Sequence, residues 1–339
     1  SLNQSNTMKR ILVTGGLGYI GSHTCVALTE AGYHPVVVDN LRNTRMETKQ
    51  AVEEITGQSL EFYELDAKNV LEVADKIGQI DGTIHFAALK SVGESIQKPM
   101  EYYTENLESL LSIIQVSSTK GAKSFIFSSS ATVYGETKEE CVTEETPLGT
   151  PLNPYGHTKS LGEQILKSGK HPFKTILLRY FNPVGAHPSA KIGELPNGIP
   201  NNLVPYITQT AAGLREKLTV FGSDYDTRDG SCIRDFIHVV DLAEAHVAAL
   251  KYSVESTNEI DVFNVGTGNG NTVLELIHTF EEVNGVSLNY EIGPRREGDI
   301  KAIYTDTSKI NSTLNWKSRF SLRDSLKHSW AWEKNLRGL

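Results

Sequence analysis

Apolar residues in the first half of the chain gather into short unbroken runs, among them Ile11-Leu12-Val13, Val36-Val37-Val38 and Phe125-Ile126-Phe127. Runs without alternation are expected of strands covered on both faces, which is the condition of a parallel sheet. Six strands are predicted, over residues 10–14, 35–39, 60–65, 82–87, 124–129 and 174–180, with helical stretches between them. Alternation of that kind builds βαβ units, so the fold class is α/β, a doubly wound parallel sheet with helices on both faces.

Past Phe181 the pattern changes to Pro, Gly and Asn, as in Asn182-Pro183, Pro196-Asn197-Gly198 and Pro200-Asn201-Asn202, which reads as loops lining a cleft. Helical periodicity returns over 203–213, 240–252, 273–284 and 322–332. A smaller C-terminal α/β lobe is expected there, with some of its segments returning to the sheet.

Composition narrows the function. The 33 basic and 41 acidic residues leave a net charge of −8, which disfavours nucleic acid and anionic membranes as partners and obliges any anionic ligand to find local basic residues. Cys25, Cys141 and Cys232 are widely spaced and form no Cys-x-x-Cys pair. Neither a disulfide framework nor a structural zinc site is supported, and a reducing, cytoplasmic setting is expected. No apolar run reaches the ~18 residues of a membrane span. Residues 1–7 are polar, lack the apolar stretch of an export signal, and read as a frayed end or an expression remnant.

The strand at 10–14 runs into Gly15-Gly16-Leu17-Gly18-Tyr19-Ile20-Gly21 and then a helical stretch at 22–31. Glycines in that context permit a tight turn, a close approach of backbone N–H groups to a pyrophosphate, and contact between strand and helix. The next strand ends at Asp39, where a carboxylate can accept bonds from an adenosine ribose and repel the extra phosphate of NADP. NAD is therefore the expected cofactor on a Rossmann-like sheet, although Arg42 and Arg45 nearby leave NADP open. At ~150 residues per domain, the division expected is an NAD-binding domain over 8–180 and a mainly substrate-binding lobe over 181–339.

Tyr155 and Lys159 follow Asn153-Pro154 and stand four residues apart, on one face of a helix. A tyrosine near pKa 10 is a poor base at neutral pH, but neighbouring cations favour its phenolate, so the pair predicts a lowered Tyr155 pKa. Ser130 follows the strand at 124–129 and can stand at the carboxyl edge of the sheet. The glycine turn, the Tyr-x-x-x-Lys pair and the upstream serine together resemble the extended short-chain dehydrogenase/reductase family. Longer strings, such as 13–23, 84–103, 125–135, 178–188, 198–203 and 294–299, resemble its UDP-hexose 4-epimerase branch.

That resemblance implies that a sugar loses hydride from C4 to a tightly held NAD, turns as a 4-keto intermediate, and recovers the hydride on its other face. Tyr155 would be base and acid, Lys159 would tune it and hold the nicotinamide ribose, and Ser130 would bond the same sugar oxygen. On the cofactor side it points to Gly15, Gly18, Tyr19, Ile20 and Gly21 in the turn, Asp39 and Asn40 at the ribose, and Asp66 and Ala67 by the adenine. Phe86, Ala87, Ala88 and Lys90 form the next loop, and Asn106, Ser128, Tyr180 and Phe181 complete the set. For the substrate it points to Asn182, Asn202, Arg234, Arg296 and Asp299 as anchors, with Lys90, Thr132, Leu203, Val220 and Phe221 as further contacts. A homodimer through the helix at 99–121, whose apolar positions exceed one face, is also implied.

Restrictive members of the branch carry a tyrosine where this chain has Ile303. Ile303 widens the site and admits N-acetylated UDP-hexoses, whereas a one-residue shift in register would place Tyr304 there and narrow it again. Two alternatives stay open. Another nucleotide-sugar enzyme of the family, such as a 4,6-dehydratase, resembles this chain but has an Asp-Glu pair where Ala131-Thr132 stands. A non-catalytic NAD-sensing regulator usually lacks the Tyr and Lys. The ten histidines show no metal-ligand spacing, and no metal is expected.

Overall fold

The computed structural model describes residues 8–339, so the heptapeptide 1–7 lies outside the described residues. At its centre is a seven-stranded parallel sheet in the order Ile260–Val265, Lys174–Tyr180, Ser124–Ser130, Gly82–His85, Arg10–Thr14, His34–Asp39 and Glu61–Glu64. Successive side chains leave opposite faces of a strand, and each face here carries its own core. Val13, Val37, Ile84 and Ile126 pack under the helices Tyr19–Glu30 and Val239–Glu255. Leu12, Val36, Val38, Phe125 and Phe127 pack under Pro99–Thr119 and Pro154–Ser168. This is why the runs contain no polar position: both faces of the strand are covered.

All six predicted strands form, 10–14 and 174–180 with the predicted bounds and the other four with shifted ends. Past Gly82–His85 the Phe86 amide still reaches Thr14 O at 3.1 Å, but the Ala87 amide goes to the Thr14 hydroxyl at 3.2 Å and the strand ends. The first helix begins at Tyr19 rather than at 22, since Gly18 already serves as its N-cap residue. The seventh strand, Ile260–Val265, comes from beyond residue 180 and was absent from the predicted set; Asp261 and Asn264 interrupt its apolar pattern at the sheet edge.

The stretch past Phe181 is less loop-like than its Pro and Gly content suggests. It holds the strands Asn182–Val184, Leu218–Phe221, Ile233–His238, Gly270–Thr272, Tyr290–Gly293 and Ala302–Thr305. Most are three or four residues long, too short to show a period of two. Ile233–His238 is the hub, pairing with Asn182–Val184, Gly270–Thr272 and Ala302–Thr305. The helices Leu203–Ala211, Val273–Asn284 and Leu322–Arg337 close a core of Val204, Ile207, Val220, Phe236, Leu276, Phe280 and Leu326.

Candidate active site

The glycine turn is built by steric exclusion. Gly15 has φ +66, the left-handed region that favours glycine, and its N–H donates to Val38 O at 2.8 Å. A Cβ on Gly21 would stand 2.2 Å from Gly15 O, and one on Gly16 would stand 2.7 Å from a Val37 methyl. Gly18 is different: its open side faces Lys90, whose Nζ would lie 3.8 Å from an added Cβ. No side chain caps the helix that starts at Tyr19, so the amides of Tyr19, Ile20 and Gly21 are directed at the space a pyrophosphate would occupy. Asp39 is buried, and its carboxylate accepts from Leu17 N, Leu41 N and Thr44 Oγ1 at 3.1, 2.9 and 2.6 Å. It thereby fixes both the turn and the loop after the second strand. Arg42 is drawn to Glu101 at 2.8 Å, away from a role with a 2′-phosphate. These features fit NAD.

Asn40 donates to Asp66 at 3.2 Å, and Asp66 caps the 3-10 turn that contains buried Ala67, so the two predicted adenine-side groups support each other. Asn106 spends its whole carboxamide on the protein. Its Oδ1 accepts from Leu89 N at 2.8 Å, and its Nδ2 donates to Leu89 O and Thr158 Oγ1 at 3.2 and 3.0 Å. It holds the Phe86-Ala87-Ala88 loop and Lys90 against the helix that carries Tyr155.

Asn153 starts that helix, accepting from Gly156 N at 2.8 Å with Pro154 at the first turn, which projects Tyr155 and Lys159 toward the strand Ser124–Ser130. Lys159 is buried, donates to Ser128 O at 2.7 Å, and has its Nζ 5.9 Å from the Tyr155 ring centre. Burial, with some repulsion from Lys90, pushes the Lys159 pKa down to about 7. Burial pushes Tyr155 up to about 12, partly offset by the Ser130 hydroxyl. The lowered Tyr155 pKa expected above is thus not what the protein alone produces. Desolvation outweighs a lysine that is itself losing its charge. Ser130 also accepts from Thr132 N at 3.2 Å, and the Thr132 hydroxyl is buried with no hydrogen-bond partner, 3.3 Å from where a Gly156 Cβ would lie. Tyr180 is buried beside Ser128 and Tyr155 and bonds His246, while Phe181 packs on Val133, Tyr134, Val142 and Ile303.

Glu163, four residues past Lys159 on the same helix, lies beneath this group. It bonds Arg179 at 2.7 and 3.0 Å and Ser129 at 2.5 Å, and Arg179 continues to Tyr134. Burial alone would raise the Glu163 pKa, but the bonds from Arg179 and Ser129 hold it below the usual carboxylate range. The i, i+4, i+8 spacing of Tyr155, Lys159 and Glu163 was legible in the sequence and marks the buried edge of the helix.

Across the cleft, Arg234 pairs with Ile303 in adjacent strands, and Arg234, Arg296 and Asp299 converge around Cys232. Arg296 bonds Asp299 at 3.0 Å and stacks its guanidinium 4.9 Å from the ring centre of half-exposed Phe221. Val220 is buried in the lobe core, so only Phe221 of that pair offers a surface. Asn182 is exposed at the sheet edge beside Phe236, and Asn202 precedes the helix that Leu203 begins. Ile303 packs with Phe181 and Val133 in a buried cluster, whereas Tyr304 lies against Gly270, so the two neighbours face opposite ways. A cavity of about 610 Å³ between Glu30, Glu244, Lys251 and Asn315 lies elsewhere and contains none of these residues. Among the described residues no group of three metal-ligating side chains occurs and no helix is long and apolar enough to cross a membrane.

Comparison with known proteins agrees with this geometry. Residues 11–266 match the NAD dependent epimerase/dehydratase family. The chain is 48% identical over 331 residues to the UDP-glucose 4-epimerase of Bacillus subtilis, covering 96% of this chain and 97% of that protein. It superposes with a TM-score of 0.94, at 42% identity, on UDP-glucose-4-epimerase from Stenotrophomonas maltophila with bound NAD and formylated UDP-arabinopyranose, covering 97% and 99% of the two chains. For UDP-glucose 4-epimerase from Bifidobacterium longum in complex with NAD+ and UDP the TM-score is 0.92, the identity 45% and the coverage 98% and 100%.

Proposed function

From a chain that belongs to the NAD dependent epimerase/dehydratase family, we propose an enzyme that interconverts UDP-galactose and UDP-glucose by oxidation at C4, turning of the 4-keto sugar and reduction on its other face. The observation that carries this reading is the grouping of Ser130 and Tyr155 with buried Lys159, next to Lys90 and an uncapped glycine-turn helix. NAD, when bound, supplies the hydride acceptor and donor. Tyr155 takes the proton of the sugar 4-hydroxyl and returns it, with Ser130 holding the same oxygen. Lys159, anchored on Ser128 O, holds position beside the phenol. Arg234 and Arg296 neutralise the diphosphate, and Phe221 gives the base an apolar platform. In this reading residues 8–180 carry the cofactor and 181–339 mainly the substrate.

Ala131 and Thr132 offer no acid for loss of water, which disfavours the dehydratase alternative. Ile303 in place of the tyrosine of restrictive members supports a wider site, so UDP-N-acetylhexosamines belong to the proposed substrates. The free state of Cys25, Cys141 and Cys232 is consistent with a reducing compartment.

The test is to give the purified protein UDP-galactose and, separately, UDP-N-acetylgalactosamine, without added NAD. Conversion of both to their C4 epimers is expected. Conversion of the first alone contradicts the wide site, and conversion of neither by NAD-loaded protein contradicts the epimerase reading and revives the regulator.

A further inference from the structure

Four histidines meet where the lobe is fastened to the glycine turn, and none takes part in the chemistry above. His23 lies on the helix Tyr19–Glu30, His187 in the loop after the strand Asn182–Val184, His238 at the cap of the helix Val239–Glu255, and His328 on the helix Leu322–Arg337. Their hydrogen bonds fix which ring nitrogen carries the hydrogen. His23 Nδ1 donates to Tyr19 O at 2.7 Å, so its Nε2 is bare and accepts from His187 N at 3.0 Å. His187 Nδ1 in turn accepts from Ser189 N at 3.1 Å. His238 Nδ1 accepts from Val240 N at 3.0 Å and so caps its helix. The hydrogen of His238 is therefore on Nε2, which donates to His328 Nδ1 at 2.9 Å. Each ring uses a bare nitrogen as an acceptor, a duty that an imidazolium cannot perform.

The His238 ring also supports the loop that meets the glycine turn. A Cβ on Gly185 would stand 2.9 Å from it, and Gly185 O accepts from the Tyr19 hydroxyl at 2.6 Å. Residues 185–187 thus touch His238 on one hand and Tyr19 and His23 on the other. His23 and His238 are buried, whereas His328 is only partly covered and is the member that a proton from solvent can reach.

We propose that the His238–His328 pair is an acid-sensitive latch on the bound NAD: a proton on His328 parts the two rings, frees residues 185–187 and loosens the helix whose first turn faces the pyrophosphate. That proton goes to Nδ1, opposite the Nε2–H of His238, so two donors then face each other. No tautomer shift relieves them, because His238 Nδ1 is already occupied by Val240 N–H. The surrounding charges do not offset the clash. Arg319, His23 and His187 disfavour a cation at His238. Asp241, on the same helix, is committed to the amides of Arg319 and Phe320, and Glu244 to the Arg319 guanidinium. At His328 the pull of Asp324 is outweighed by burial, to which Lys327 adds, so the ring is held below the usual histidine range. A histidine kept neutral in the closed form and released in the open one favours closure fully above its ordinary pKa of about 6.5, and this preference is lost as pH falls below that value.

The test follows the loss of NAD from loaded protein by ultrafiltration at pH 7.5 and 5.5, with circular dichroism to separate release from unfolding. Wild type is compared with His328→Asn, whose side-chain oxygen can stand near the place of Nδ1 without titrating, and with His328→Lys, a fixed cation that only donates. NAD should leave the wild type about tenfold faster at pH 5.5 than at pH 7.5, as for one histidine that regains a pKa of about 6.5 on opening. His328→Asn should keep that ratio below about threefold while holding NAD normally at pH 7.5, and His328→Lys should release NAD quickly at both pH values. Urea midpoints on the same samples should fall from pH 7.5 to 5.5, and fall less in His328→Asn. A wild type indifferent to pH would overturn the inference, as would one that unfolds as a whole before NAD leaves. A His328→Asn variant as acid-sensitive as wild type would place the titration elsewhere, Lys159 or His23 foremost, and overturn it too. So would loss of NAD from His328→Asn at pH 7.5, or a His328→Lys variant that holds NAD as wild type does.

Discussion

At the residue scale, the site is arranged so that the protein by itself keeps Tyr155 neutral and Lys159 only partly charged near neutral pH. Tyr155 is pushed up to about 12 and Lys159 down to about 7 by the same cause, removal of water. A phenol poised in this way is a reservoir for one proton, released when positive charge comes next to it. Tyr155→Phe keeps the ring and removes the hydroxyl. It should lower kcat by about 10²–10⁴-fold, the range of a general acid–base group, with the bound NAD unchanged by absorbance. Near-normal turnover in that variant would remove Tyr155 from the chemistry. Tyr155, Lys159 and Ser130 were legible as residues because they recur at fixed spacing beside a glycine turn. Their pKa directions were not, since they depend on groups such as the Phe127 ring and the Lys90 charge that other parts of the chain bring.

At the scale of elements, the helices Pro99–Thr119 and Pro154–Ser168 pack side by side, with Tyr103 and His157 bonded at 2.8 Å. Leu110, Ile113 and Val116 of the first are buried against the sheet, and buried Tyr102 bonds Ser91 and Glu94. Met100, Leu107, Leu111 and Ile114 form a second stripe that the chain covers only in part, with Met100 and Leu111 exposed. The surplus noticed in the sequence is therefore a face rather than a denser core. We propose that a second copy of the chain covers it, as the family resemblance implies. Light scattering of the wild-type protein should then give twice the chain mass, and Leu111→Glu, which places a charge in that stripe, should shift it toward the monomer. A monomeric wild type would contradict the pairing. Strand placement in the first half followed directly from unbroken apolar runs. The lobe strands were missed because segments such as Ile233–His238 mix Arg234, Asp235 and His238 with apolar residues: Asp235, for one, ties down Thr267, Gly268 and Thr305.

At the scale of the whole molecule, the two halves meet where the chemistry is placed. Tyr19 of the glycine turn donates to Gly185 O at 2.6 Å, His23 accepts from His187 N at 3.0 Å, and Asn201 reaches Ser91 at 3.3 Å, so the loop after Asn182–Val184 is fastened to the rim of the sheet. Such fastening suits an enzyme that keeps its cofactor and a keto intermediate inside while the sugar turns. Its central claim is that the hydrogen on C4 leaves and returns within the site and never exchanges with water. The most direct measurement is to supply UDP-galactose carrying deuterium at C4, in ordinary water without added NAD, and to examine the UDP-glucose formed by NMR. The account predicts that deuterium stays at C4 of the product. Its replacement by solvent hydrogen would mean that the carbon is inverted through proton abstraction, and would contradict hydride shuttling in this fold.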